Sequence, residues 1–227
     1  MRTLLAGVVG STAYGLARPS SDIDMLGVFQ ADTFRLLGLD GLRKADETVH
    51  NTSAAFDTTS HEVGKFCRLA LAGNPTILEL LWLDEYRVNT ADGMTLVKMR
   101  RAFLSRKQVR DSYLGYATQQ FRLLERDSRF PDVPVSRIEK HARHMHRLLE
   151  QGLHLYKTGE IRIKVASPEA TRQFGVDVAR DAGYAKQALH RAEQDWDDAE
   201  RVCPLPERPN RPLVDAWLTQ LRVRNLR

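Results

Sequence analysis

Asp22 and Asp24 stand two residues apart at the head of an apolar run, Ile23–Phe29. Upstream, a second apolar run, Leu4–Val9, is broken by Gly10-Ser11, and a ten-residue gap separates the break from the acidic pair. Successive strand side chains alternate faces, so Asp22 and Asp24 share one face while Ile23 and Met25 turn to the other, toward a core. Two carboxylates side by side repel, and each tends to keep its proton unless a cation lies between them. A hard divalent ion such as Mg²⁺, or Mn²⁺ in its place, removes that conflict because it prefers carboxylate oxygens. Gly10 allows close backbone approach to a ligand, Ser11 adds a hydroxyl, and the next residues suit a short helix whose free N–H groups face an anion. Phosphoryl or nucleotidyl transfer from a nucleoside triphosphate needs that combination of phosphate cradle and metal-binding acids.

The elements that must hold these residues are two short strands, Leu4–Val9 and Ile23–Phe29, joined by the Gly-Ser bend. In order and spacing the stretch resembles the signature of the polymerase β-type nucleotidyltransferase superfamily. The resemblance implies a third carboxylate from a strand beside the paired one, and Asp57, in the strand expected over Ala54–Thr58, is the candidate. It would serve as general base and as metal ligand. Asp46 and Glu47 are its rivals, and the plainer alternative is that Asp57 or Ser60 caps the helix expected from His61 to Gly73. That helix, then Gly73-Asn74-Pro75 and a second helix, reads KFCRLALAGNPTILELLW. It is similar to the RNA-repair-associated branch of the superfamily, the family encoded near RNA ligases. The branch implies an NTP substrate and an RNA end, or another nucleic acid, as partner. Lys65 and Arg68, on the polar face, are phosphate contacts or simply solvated. Glu79, acidic within an apolar run, is either a buried partner for an arginine or a site residue.

The composition allows this reading. At 227 residues and 42% hydrophobic the chain can bury one or two cores, and its net charge of +5 with pI near 9.4 suits a polyanionic partner. Cys67 and Cys203 are too few and too far apart for a disulfide framework, and Cys67 falls in a core pattern. There is no apolar run long enough to span a membrane and no leader pattern, so no membrane partner and a cytoplasmic location are expected. Protein partners and oligomeric state are not readable.

Beyond residue 90 the pattern is helical. Helices are expected over Asp92–Leu104, Lys107–Arg126 and Val135–Lys157, with another opening at Ser167-Pro168, one over 184–202, and a closing helix over Asp215–Leu226. A proline-rich connector, 203–212, precedes the last. In the Val135–Lys157 helix Arg137, Lys140, His141, His144 and Arg147 recur at three-to-four spacing, a cationic stripe opposite Ile138, Met145, Leu148 and Leu149. The related sequences carry a Lys-His…Arg helix here, so Lys140, His144 and Arg147 are assigned to nucleotide binding. The helix's histidines lack the companion ligands of a zinc site. Ile161–Val165 alternates with period two and is expected to be a short strand.

The expected fold is α/β, a polymerase β-like core with a small mixed sheet over residues 1–88, then a helical region over 89–227. The expected function is metal-dependent transfer of NMP to a hydroxyl. Transfer of AMP to a protein, and a non-catalytic nucleic-acid-binding module, are the alternatives.

Overall fold

The computed structural model describes every residue except Ser20, Asp40, Ala54, Ala55, Pro131 and Arg227. The chain forms two compact units, residues 1–105 with 208–227, and residues 106–207.

The first unit is built on a five-stranded sheet: β1 (Arg2–Val9), β2 (Ile23–Gln30), β3 (Thr48–Thr52), β4 (Phe56–Glu62) and β5 (Val88–Asn89). The strand order is β3-β4-β2-β1-β5. β1 and β2 run antiparallel, β2 and β4 parallel, and the two edge strands are antiparallel to their neighbours. The sheet is therefore mixed, as expected. Leu4, Leu5, Leu26, Val28 and Phe29 are buried within it.

Short helices α1 (Gly10–Tyr14) and α2 (Thr33–Leu37) follow β1 and β2. α3 (Val63–Leu71) buries Val63, Phe66, Cys67 and Ala70 at three-to-four spacing. Gly73 then takes a φ of +76°, and Asn74 caps α4 (Pro75–Glu79) by accepting a hydrogen bond from the Ile77 N–H at 3.2 Å. The Gly-Asn-Pro turn thus does what its residue types dictate. α5 (Ala91–Lys98) and a 3-10 turn, Arg100–Phe103, complete this stretch.

The unit boundary expected at residue 88 lies instead at 105, and the closing helix α10 (Arg211–Arg224) returns to the first unit. Two contacts explain this. Gly93 sets α5 so close on β1 that a Cβ there would lie 2.2 Å from the Leu4 carbonyl oxygen. Glu62, 1% exposed, faces the Arg222 guanidinium of α10 at 3.5 Å. α10 also starts before Asp215: Asn210 caps it at 3.1 Å from the Leu213 N–H, and Pro212 lies in its first turn.

The second unit is helical, with α6 (Arg106–Asp127), α7 (Val135–Thr158), α8 (Pro168–Arg180) and α9 (Gly183–Ala199). α7 packs against the other three helices. Its heart is aromatic, with Tyr113, Tyr156 and Trp196 fully buried and the last two rings 4.7 Å apart. No strand forms over 161–165. Those residues do alternate in and out, but among the described residues this unit has no strand for them to pair with. Both cysteines are buried and unbridged, and burial pushes the Cys67 thiol up to about 12. Among the described residues no helix is long and apolar enough to cross a membrane.

Candidate active site

The acids gather at one end of the sheet, where β1 ends and the parallel strands β2 and β4 begin. Asp24 is in register with Val9 on one side and with Asp57 on the other. Registered residues on adjacent strands share a face, at the usual strand spacing of about 4.8 Å. Asp57 therefore lies on the same face of the sheet as Asp24, and Asp22, two residues before Asp24, sits at the head of the same strand. Ala54 and Ala55, expected to open β4, lie outside the described residues, and the strand is described from Phe56.

Gly10 follows Val9 and closes the row. Its φ is +68°, and a Cβ built on it would fall 2.2 Å from Asp24 Oδ2. Only glycine meets both demands. The Asp24 carboxylate is thus turned toward the bend. Asp57 is turned the other way, its Oδ1 accepting a hydrogen bond from Thr52 Oγ1 of β3 at 3.4 Å. As the side chains stand, no three His, Cys, Asp or Glu among the described residues are close enough to hold a metal ion. The donor set is nonetheless right for a hard divalent cation: three carboxylates on adjoining strand starts, two of them in register.

α1 is short. It begins at Gly10 with no side-chain cap, and Gly15, at φ 75°, ends it. Its anchor was not foreseen: the Tyr14 hydroxyl donates to Glu79 Oε2 at 2.6 Å, and Glu79 is fully buried. Glu79, expected to be either a buried partner for an arginine or a site residue, thus helps tether the helix carrying Ser11. The pattern did offer a signal, since an acid in an apolar run needs a donor.

The rivals to Asp57 are engaged elsewhere. Asp46 pairs with Arg43 at 3.0 Å and with Arg35 at 3.5 Å, and the Arg43 hydrogen bond lowers its carboxyl pKa. Glu47 pairs with Arg68. Lys65, from α3, donates to Thr48 Oγ1. Lys65 and Arg68 are thus spent on the β3 side of the sheet.

Lys140, His144 and Arg147 belong to the second unit. They do not form a uniform cationic stripe. Lys140 is exposed, but Arg147 is only 2% exposed and donates to Gln151 Oε1 at 3.0 Å. Burial first, then the positive charges of Arg147 and Lys140, push His144 down to about 3, so it is neutral at physiological pH. Three-to-four spacing aligned these residues, but α7 packs against three helices, and the row passes from exposed Lys140 through half-buried His144 to buried Arg147. His141 is likewise occupied, with Nδ1 2.9 Å from Gln120 Oε1 and Nε2 3.5 Å from Asp127.

A mixed sheet with a Gly-Ser bend beside acids on two parallel strands defines a polymerase β-type nucleotidyltransferase core. The chain belongs to the RNA repair pathway DNA polymerase beta family, whose model matches residues 1–181. Among solved structures it is similar to a nucleotidyltransferase-like protein from Exiguobacterium sibiricum. The identity is 12% and the TM-score 0.30, over 87% of this chain and 68% of that one. No curated protein matches the chain.

Proposed function

We propose that the first unit transfers an NMP from an NTP to the hydroxyl of an RNA end, with Asp22, Asp24 and Asp57 holding Mg²⁺ or Mn²⁺. The observation that carries this is the registered pair Asp24–Asp57, set beside Gly10, where a Cβ would fall on the Asp24 carboxylate. Gly10 and Ser11 hold the β- and γ-phosphates, at the uncapped start of α1. The acceptor oxygen attacks the α-phosphorus. A new P–O bond forms, the α–β bridging bond breaks, and pyrophosphate leaves. Asp57 takes the hydroxyl proton. When bound, the metal supplies Lewis acidity at the reacting phosphate and offsets the charge of the leaving group. The family's place in RNA repair supports RNA as the acceptor, and the basic composition agrees with it. A cytoplasmic site of action fits that chemistry.

The test is incubation with α-labelled NTP, Mg²⁺, and RNA or cell protein. Label is expected on RNA, and none with Asp24→Ala. Label on protein would make the enzyme a protein AMP-transferase. Undiminished labelling by Asp24→Ala would overturn the assignment of the site.

A further inference from the structure

The second unit holds a cavity of about 260 Å³ whose wall includes Arg147, Gln151, His154, Lys157, Arg162 and Lys164. We propose that this cavity is a phosphate seat for a single-stranded RNA. Only the choice of polymer rests on the function proposed above.

The cavity is constructed rather than incidental. At its base Arg147 is buried and oriented by Gln151. Gln151 also donates from Nε2 to the Arg162 carbonyl at 3.1 Å, which ties the irregular 161–166 segment to α7. Ile161 is buried and Ile163 and Val165 are half-buried, pinning that segment, while Arg162 and Lys164 stay exposed. The period-two alternation that suggested a strand therefore projects two cations at a cavity.

Charge supports an anionic occupant. Arg147, Lys157, Arg162 and Lys164 are four permanent cations, and Glu150 is the one carboxylate in the wall, leaving a surplus of three positive charges. A recess with a surplus of one sign of charge raises the local concentration of ions of the opposite sign. His154 registers that field: burial first, then the Arg162 charge, lowers its pKa against the opposing pull of Glu160. The volume is enough for one phosphate with its sugar, as a strand passing over the cavity would present.

The test reads binding without catalysis. A short labelled single-stranded RNA is titrated in EDTA with the full-length Asp24→Ala protein, followed by fluorescence anisotropy at several salt concentrations. Failure of nucleotide transfer would leave this readout untouched. On that background the exposed pair Arg162→Glu with Lys164→Glu is expected to weaken binding about tenfold or more, and to flatten the log–log salt slope by about 0.7 for each phosphate no longer neutralised. The matched pair Lys186→Glu with Arg191→Glu, two exposed cations of α9 outside the cavity, is expected to change affinity much less. Equal effects of the two charge reversals would mean diffuse attraction and overturn the proposal. So would a double variant that loses inorganic tripolyphosphate binding but keeps RNA binding, since the phosphate would then come from a nucleotide.

Discussion

Replacing Gly10 with alanine probes the bend and the metal-binding acid together. Its φ of +68° costs an L-residue about 1–2 kcal/mol of backbone strain. The new methyl would also sit 2.2 Å from Asp24 Oδ2, well inside van der Waals contact, so the carboxylate must move. A displacement of about 1 Å at a catalytic group costs about a hundredfold in rate. Gly41 separates the two effects, because its φ is +58° but a Cβ there meets nothing within 4 Å. Thermal unfolding and kcat/KM for metal-dependent NMP transfer are to be measured on both alanine variants. Each should lose about 2–8 °C in Tm. Only Gly10→Ala should lose transfer, by about a hundredfold. If both variants transfer at the wild-type rate, the Asp24 carboxylate does not need the place the bend gives it, and the reasoning fails.

Other perturbations follow from the same contacts. Arg222→Leu removes the guanidinium facing buried Glu62, and is expected to cost about 1–3 kcal/mol in urea unfolding while leaving the metal-binding acids in place. Tyr14→Phe strips a donor from fully buried Glu79, so a loss of about 1–3 kcal/mol should come with a rise in KM for NTP as α1 loosens. Acid should destabilise the fold through His144. Its folded pKa of about 3 lies below its ordinary 6.5, so the unfolded chain binds the proton first, and stability falls as pH drops from 6.5 toward 3. At pH 5 that one residue accounts for about 2 kcal/mol, and His144→Leu should narrow the difference between urea midpoints at acid and neutral pH.

The site was legible where local pattern alone decides it. An apolar run stopped by Gly-Ser and followed by Asp-x-Asp gives the bend, the strand and the shared face of two acids. Asp57 was harder, because β4 reads FDTTSHE and carries little apolar signal. That strand was expected to stop at Thr58, with the helix beginning at His61. It runs to Glu62 because its pairing with β2 continues as far as Phe29 and Glu62, and Glu62 then caps α3 by accepting from the Gly64 N–H at 2.6 Å. No local pattern contains that strand pairing, nor the contact of Glu62 with Arg222 of the last helix. In α7 the spacing located one face but not its depth, so Arg147 and His144 were assigned to nucleotide binding although Arg147 is buried and His144 half-buried. Over 161–165 the alternation was sound but lacked a partner strand, and a strand without a neighbour is an extended loop.

Metal binding is the central claim, and it can be measured apart from turnover. Mn²⁺ titration followed by electron paramagnetic resonance, with an NTP analogue that cannot be transferred, should show tight binding to the unaltered protein. Asp24→Asn and Asp57→Asn should each weaken it by about tenfold or more, because each removes a charged oxygen donor from the same ion. Mn²⁺ affinity unchanged by Asp57→Asn would mean that the registered acids on β2 and β4 do not share a cation, and would contradict the account.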